Sequence, residues 1–100
     1  MNGIELIATE RKRQMEIEGW TPEHDKQHDG GELARAAACY AFEAVSLPTI
    51  DVKRFVYDNW PWSRKWWKPT PDDTIRQLVK AGALLAAEID RRLAIEGLEK

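Results

Sequence analysis

The segment from residue 71 to residue 96 constrains the fold more than any other part of this sequence. Thr70-Pro71-Asp72-Asp73 predicts a helix start, with threonine as N-cap, proline at the first helical position and two acids facing the helix dipole. The apolar residues that follow at helical spacing are Ile75, Leu78, Val79, Gly82, Leu85, Ile89 and Leu93. The sequence therefore predicts a long amphipathic helix that ends before Gly97. In a chain of 100 residues, the other segments must form a single domain with it.

Two positions inside this predicted helix break its pattern. Lys80 interrupts the apolar run LVKAGALL, so its ammonium either reaches the rim or meets an anion in a pocket. Gly82 lowers helix stability by about 1 kcal/mol relative to alanine, and close approach of another helix is the simplest reason for it. Lys80 is therefore a candidate ligand-binding residue, and Gly82 indicates a helix contact.

A second helix is predicted over about residues 3–18. Asn2 and Glu5 fit a capping box, and Gly19 is a natural stop in the left-handed conformation. Its apolar residues form only a loose stripe, consisting of Ile4, Ile7, Ala8, Met15 and Ile17. The charged residues between them predict chiefly a solvated face.

The acids of this first helix have an alternative interpretation. Glu10, Glu16 and Glu18 are candidate Mg²⁺ ligands if they face the same pocket as Glu32, because a magnesium site needs few protein carboxylates. Arg11, in the same segment, is a candidate ligand-binding residue.

An alanine-rich helix is predicted after Asp29-Gly30-Gly31-Glu32. Asp29 would be its cap and Glu32 its third residue, and Pro48 would end it. One face carries Leu33, Ala36, Ala37, Tyr40, Ala41 and Ala44, and its small side chains allow another helix to approach closely. The lone cysteine, Cys39, is predicted to be a small buried apolar residue.

Two shorter helices complete the prediction. One begins at Thr21-Pro22-Glu23, and the other lies between residues 49 and 59, where helix is favoured over strand because no partner strand is visible. The expected fold is thus all-α: a single domain over residues 1–100, with three main helices, one or two short helices and a tryptophan-rich loop. A bundle this small is marginal alone, which favours a homo-oligomer formed through the alanine-rich helix or the last helix.

Charge and hydropathy exclude several classes of protein. The net charge of −2 argues against nucleic acid as the main partner, and no apolar run approaches the roughly 18 residues of a membrane-spanning helix. The N-terminal residues lack the order of a signal peptide. We therefore expect a cytoplasmic protein with no membrane partner.

The segment WPWSRKWWKP, residues 60–69, is the strongest functional signal. Its tryptophans can cover the end of a small core, or stack on the rings of a ligand whose phosphates meet the neighbouring cations. We favour a division in which one or two rings anchor the loop and the others line a site or a subunit contact. The candidate ligand-binding residues are Trp60, Trp62, Arg64, Lys65, Trp66, Trp67 and Lys68, together with Lys80, His24 and Arg11.

The two histidines form a weaker candidate site. His24 and His28 stand four residues apart, so a helix would place both on one face, near Asp29 and Glu32. Two imidazoles and a carboxylate can hold a transition metal, but no third ligand occurs at a familiar spacing. Hydrogen bonding to neighbouring helices, or contact with a ligand, are the alternatives.

Most of the chain resembles a group of short phage and prophage proteins of unassigned role. The resemblance rests on ERKRQMEIEGWTPEHDKQHDGGELARAAACYA, on WPWSRKWWKP and on RQLVKAGALLAAEIDRR. It implies an accessory protein that acts in an infected bacterium, on nucleotides or on host defence.

The segment DGGELARAA also resembles part of the all-α, MazG-like nucleotide pyrophosphohydrolases. That resemblance implies a helical nucleotide-binding fold in which two pairs of acids hold Mg²⁺. Asp29 and Glu32 fall on the first pair, whereas Gln77 and Lys80 fall on the second and cannot serve as Mg²⁺ ligands. Lys80 can replace the charge of the metal as a fixed cation.

Three functions follow from these features. The favoured one is binding, without catalysis or a cofactor, of a phosphate-bearing nucleotide such as a signalling nucleotide of bacterial defence. The alternatives are a protein-interaction module or inhibitor of a host enzyme, and a Mg²⁺-dependent pyrophosphohydrolase that uses Asp29, Glu32 and a further carboxylate from the first helix or from Glu88 or Asp90.

Overall fold

A computed structural model describes residues 1–45 and 51–97, and in these ranges the chain is all-α, as predicted. Its helices are α1 (Gly3–Glu16), α2 (Pro22–Asp25), α3 (Glu32–Glu43), α4 (Val52–Asn59) and α5 (Thr74–Glu96). A 3₁₀ turn over Arg64–Trp66 lies within the tryptophan loop. The predicted helix end at Pro48 and the first residues of the predicted short helix lie outside the described ranges.

The core forms where α3 and α5 pack together. Small residues on both helices let their backbones approach closely, and the larger Leu33, Tyr40 and Leu84 fill the remaining space. The buried cluster consists of Leu33, Ala36, Ala37, Tyr40, Ala81, Leu84 and Ala87. Cys39 is also fully buried, as predicted, and burial raises the pKa of its thiol to about 11.

The face that α5 buries is not the apolar stripe read from its sequence. Ile75, Leu78, Leu85 and Ile89 are 66%, 51%, 46% and 57% exposed, respectively. The opposite face, which contacts α3, carries alanines and Leu84 together with the buried polar residues Gln77, Lys80, Glu88 and Arg91. The face with small residues is the buried one because it permits the closest packing against the alanines of α3. The sequence stripe is thus not the face that packs against α3; most of it is exposed, and Ile7 of α1 lies against it at Gly82.

The prediction of a solvated charged face on α1 is wrong for its central residues. Glu10, Arg11 and Gln14 are buried, whereas Ile4 and Ile17 are exposed. Burial is possible because Glu10 accepts hydrogen bonds from Arg13 at 2.8 Å and from Gln14 at 3.1 Å. Burial alone would raise the pKa of Glu10, but the Arg13 hydrogen bond and the charges of Arg13 and Arg76 outweigh it, so the pKa is lowered.

The helix caps were predicted with mixed success. The capping box of Asn2 and Glu5 is present, and Thr21 caps α2 with Pro22 following it. Gly19 adopts positive φ beyond the end of α1, as expected. These predictions are confirmed because the interactions are local.

Two predicted caps are wrong. Gly31, not Asp29, is the N-cap of α3, and its left-handed φ of 83° explains the need for glycine there. Asp73, not Thr70, caps α5, because its side chain accepts from the Arg76 backbone N–H at 3.0 Å. Thr70 is held elsewhere, since its backbone N–H donates to Gln77 Oε1 at 2.8 Å.

Gly82 marks the close contact between α1 and α5 that its position in the sequence indicated. A Cβ atom at Gly82 would lie 2.5 Å from Cδ1 of Ile7, closer than real Cβ contacts. None of the described helices is long and apolar enough to cross a membrane.

The Gly82 contact gives a first prediction. We expect the change in unfolding free energy caused by Gly82→Ala to be about 1 kcal/mol more favourable in an Ile7→Ala background than in the natural chain. In the natural chain the added methyl group meets Ile7, whereas the shorter side chain of the Ile7→Ala variant leaves room for it, so that the higher helix propensity of alanine can stabilise the fold. Urea denaturation of the four chains of this cycle measures the coupling. Gly3→Ala is the matched control, since nothing lies within 4 Å of its added Cβ. An additive Gly82 cycle would contradict the contact.

Candidate functional site: an aromatic cavity

Two tryptophans anchor the loop to the core through Tyr40. The Tyr40 ring lies 4.7 Å from the Trp67 ring and 5.7 Å from the Trp60 ring, and the two indoles are 4.9 Å apart. The backbone N–H of Lys68 donates to the Tyr40 hydroxyl at 3.3 Å. Burial raises the pKa of Tyr40 to about 12, so its ring stays neutral among the indoles at physiological pH.

Lys80 ties the end of the loop to α5. Its Nζ donates to the Lys68 carbonyl at 2.8 Å and lies 5.4 Å from the centre of the Tyr40 ring. Desolvation, followed by the charge of Arg76, lowers the pKa of this buried ammonium. Lys80 also lines a cavity of about 30 Å³, shared with Glu10, Gln14 and Trp66, which has room for about one water molecule.

A larger cavity of about 360 Å³ lies between the tryptophan loop and the segment that joins α1 to α3. Three indoles and two imidazoles surround it. The Trp62 ring is 6.1 Å from the Trp20 ring and 5.2 Å from the His28 ring, which in turn is 4.9 Å from His24. The full lining consists of Glu18, Trp20, His24, Asp25, His28, Leu33, Trp62, Ser63 and Trp66. We call this space the aromatic cavity.

Three residues of this lining carry buried polar atoms without a hydrogen-bond partner. They are His24 Nδ1, Asp25 Oδ1 and Trp62 Nε1. His24 Nδ1 lies 3.9 Å from Asp25 Oδ1, which is too long for a hydrogen bond. Folded proteins rarely leave such atoms unsatisfied, so these three atoms require a water molecule or a polar ligand group as a partner.

Arg11 holds Asp25 in place from behind. Its Nη2 donates to Asp25 Oδ2 at 3.0 Å, and its Nη1 donates to the Trp20 carbonyl at 3.0 Å. Burial raises the pKa of the Asp25 carboxyl, and the charge and hydrogen bond of Arg11 oppose that rise. The pair therefore fixes both Asp25 and Trp20 at the wall of the cavity.

Two lysines flank the exposed ring of Trp66, and we call this part of the cavity lining, with the two lysines, the rim. Lys65 Nζ and Lys68 Nζ lie 5.3 Å and 5.6 Å from the centre of the Trp66 ring, which lines both cavities and is 46% exposed. Lys68 Nζ is also 3.8 Å from Glu18 Oε1. An anion that approaches Trp66 would thus meet two cations, one of them already facing a carboxylate.

The weak metal candidates do not form a metal-binding cluster. His28 Nδ1 lies 3.5 Å from Glu32 Oε2, and Glu32 Oε1 accepts the Gly30 backbone N–H at 2.6 Å. Asp29 is exposed. Within residues 1–45 and 51–97, no three His, Cys, Asp or Glu side chains come together in a way that could hold a metal ion.

The ten candidate ligand residues fall into five places. The aromatic cavity takes His24, Trp62 and Trp66, and its rim takes Lys65 and Lys68. Trp60, Trp67 and Lys80 form the anchor of the loop, and Arg11 supports Asp25. Arg64 lies apart, stacked 4.3 Å from the centre of the Tyr57 ring.

Sequence reasoning missed Trp20, Asp25 and Glu18 as lining residues. Helices α2, α3 and α4 all lie between Trp20 and Trp62 in the chain, so no local pattern pairs these two residues. The available signal was EGWTPEHD, in which a tryptophan, an imidazole and two kinds of acid follow the end of α1 within eight residues.

No family model matches this sequence, no curated protein is significantly similar to it, and no solved structure matches it. The function of the chain is therefore inferred from the geometry of its own residues.

Proposed function

We propose that this protein binds a small ligand of nucleotide type in the aromatic cavity and holds it without catalysis. The observation that carries the proposal is the set of unpartnered buried atoms His24 Nδ1, Asp25 Oδ1 and Trp62 Nε1, all on residues that line one cavity walled by indoles. Such a wall combines apolar ring faces with a few fixed polar groups, as small-molecule sites generally do.

A nucleobase suits this combination. Its flat face stacks or packs edge-on against Trp20, Trp62 or Trp66, and its edge presents both donors and acceptors. Asp25 Oδ1 accepts from an amino or imino group of the base, and Trp62 Nε1 donates to a ring nitrogen or a carbonyl. The ligand then supplies the hydrogen bonds that the free protein lacks.

The volume and the rim charges support a ligand that carries phosphate. The cavity, at about 360 Å³, is near the lower end of the range of about 300–1,000 Å³ for small-molecule sites, which fits a base and its sugar. The phosphates would then lie at the rim, near Lys65 and Lys68. They would compete with Glu18 for the Lys68 ammonium.

Trp66→Ala is expected to weaken ligand binding roughly 5- to 150-fold, the equivalent of about 1–3 kcal/mol of stacking. Trp62→Phe keeps the ring but removes the N–H donor, so it should weaken binding about 2- to 10-fold. Isothermal titration calorimetry with the tightest-binding nucleotide measures both effects. Equal affinities of both variants and the natural chain would contradict the proposed site.

The rim charges have a matched test. Lys68→Ala should weaken binding of the nucleotide more than binding of its nucleoside, whereas Glu18→Gln should strengthen binding of the nucleotide by freeing Lys68. Arg64→Ala is the control, because this cation stacks on Tyr57 away from the cavity. A Lys68 variant that affects nucleoside and nucleotide alike would exclude phosphate contact at the rim.

The resemblance to short phage and prophage proteins makes the signalling nucleotides of bacterial defence the first ligands to test. A panel of cyclic and linear nucleotides, followed by thermal shift, should include at least one member that raises the melting temperature. If no member shifts the melting temperature, the nucleotide proposal is wrong.

A protein partner is a second candidate, favoured by the exposure of Trp66 between two lysines. Tryptophan is enriched among the residues that dominate binding energy at interfaces, and an inhibitor of a host enzyme would use it as an anchor. Co-purification of a single host protein that is lost in Trp66→Ala but retained in Trp62→Phe distinguishes this function from ligand binding.

A further inference from the structure

The cavity that Lys80 lines lies where α1, α5 and the tryptophan loop meet. Glu10 and Gln14 line it from α1, Lys80 lines it from α5, and Trp66 and Lys68 line it from the loop. Its volume of about 30 Å³ exceeds the roughly 10–15 Å³ that one water molecule needs, and is far below the roughly 300 Å³ of the smallest ligand pockets. This space, which we call the small cavity, therefore has room for water but not for an organic ligand.

One wall of the small cavity carries an acceptor that no described residue satisfies. Gln14 is 2% exposed, and its Oε1 receives no hydrogen bond from the described residues. The amide cannot be turned over, because its Nε2 donates to Glu10 Oε2 at 3.1 Å and an oxygen in that place would face a second oxygen. Gln14 Oε1 therefore requires a donor that the described chain does not supply.

Lys80 offers donors on another wall of the same cavity. Its ammonium carries three N–H bonds, and donation to the Lys68 carbonyl at 2.8 Å uses one of them. Lys80 is 8% exposed, and desolvation lowers its pKa, so bulk water satisfies the other two donors poorly. A guest that accepts from Lys80 and donates to Gln14 would complete the hydrogen bonding of both groups.

The lining of the small cavity favours a neutral guest. The Lys80 ammonium would repel a cation. An anion drawn to Lys80 would meet the oxygens of Gln14 and Glu10, which can only accept hydrogen bonds. A water molecule donates and accepts at once, and buried waters typically make about three hydrogen bonds, for which Lys80, Gln14 and Glu10 provide the partners.

We propose that the small cavity binds one ordered water molecule, which accepts a hydrogen bond from Lys80 Nζ and donates one to Gln14 Oε1. The water joins α1 to α5, and the bond from Lys80 to the Lys68 carbonyl ties the tryptophan loop into the same network. Trp20 and Trp66 line both the small cavity and the aromatic cavity, so the network supports a wall that the two share. The inference needs no ligand in the aromatic cavity and does not depend on the proposed function.

Crystallography of the natural chain, at a resolution that shows ordered water, tests the site directly. One water should lie within hydrogen-bonding distance, about 2.7–3.2 Å, of both Lys80 Nζ and Gln14 Oε1. A direct hydrogen bond between these two side chains, or no ordered water in contact with both, would overturn the proposal.

Oxygen-17 magnetic relaxation dispersion, which counts long-lived waters in solution, gives a matched comparison. Gln14→Leu removes the acceptor at similar side-chain volume while Glu10 keeps its hydrogen bonds to Arg13, so the count should fall by about one. Gln27→Leu is the control, because Gln27 is an exposed glutamine outside the small cavity, and its count should be unchanged. Equal counts in Gln14→Leu and the natural chain would contradict the proposal, and the crystal structure of the natural chain decides it if Gln14→Leu does not fold.

Discussion

Arg11→Met is expected to lower the free energy of unfolding by about 3–5 kcal/mol at neutral pH. The Arg11 and Asp25 side chains are only 10% and 3% exposed, and their ion pair is 3.0 Å long. Removing the guanidinium leaves a buried carboxylate without its counter-ion and leaves the Trp20 carbonyl without its donor. Urea denaturation followed by circular dichroism measures the loss.

The pH dependence of this loss has a definite sign. Burial already raises the pKa of Asp25 in the folded chain above its usual value of 3.8, and without Arg11 it should rise further. A carboxyl whose folded pKa exceeds its unfolded pKa destabilises the fold above that folded pKa, and the penalty disappears as pH falls through it. The stability difference between Arg11→Met and the natural chain should therefore shrink as the pH is lowered from 7 towards the pKa of Asp25.

Two variants control this experiment. Lys12→Ala removes a neighbouring cation whose ion pair with Glu16 is exposed and 3.9 Å long, so it should change stability by less than about 0.5–1 kcal/mol. The double variant Arg11→Met, Asp25→Leu should recover much of the loss, because two apolar side chains can replace a buried ion pair. An Arg11→Met chain that loses less than about 1 kcal/mol, with no dependence on pH, would show that the pair does not hold the cavity wall.

Tyr40→Ala is expected to cost about 3–5 kcal/mol and to release the tryptophan loop from the core. Tyr40 contacts Trp60 and Trp67 on one side, and its hydroxyl accepts the Lys68 backbone N–H. Because the same ring also lies in the buried cluster with Leu33 and Leu84, its removal breaks the contacts through which it joins α3 to both anchoring indoles.

Three measurements separate loss of the anchor from loss of stability alone. Tryptophan emission should shift to longer wavelength in Tyr40→Ala under conditions where circular dichroism still reports a folded chain, and ligand binding should fall with it. Tyr40→Phe, which loses only the hydrogen bond, should cost about 0.5–1.5 kcal/mol and retain the emission. Tyr57→Ala, at an exposed tyrosine, should change neither the free energy of unfolding nor the tryptophan emission. Native emission in Tyr40→Ala would exclude Tyr40 as the anchor.

The helices themselves could be predicted from the sequence. Asn2, Thr21 and Gly19 were interpreted correctly because a cap or a left-handed stop depends on atoms within four residues of it. Asp29 and Thr70 were not, because each competes with a nearby residue, Gly31 or Asp73, that is equally able to start a helix.

Only part of the candidate site could be predicted from the sequence. The composition of the WPWSRKWWKP segment was enough to mark it as a candidate site. Three of its indole rings pack near the core, and Trp66 is the most exposed of the four. Composition could not show that Trp20, Asp25 and Trp62 share one cavity, because their proximity depends on how α1, α3 and the loop meet. Nor could it show that Arg64 stacks on Tyr57 instead of joining the lysines at the rim.

The sequence by itself determined that this chain is helical, where most of its helices lie and which segment is aromatic and basic, since all of these depend on neighbours along the chain. Only the tertiary structure decided which faces are buried. On α1 the polar residues Glu10, Arg11 and Gln14 are buried because each finds a hydrogen-bond partner, on α1 itself or, for Arg11, at Asp25. On α5 the small residues are buried because the facing residues of α3 are small as well. Burial follows from what a side chain meets on another element, and that is not encoded in its own helical periodicity.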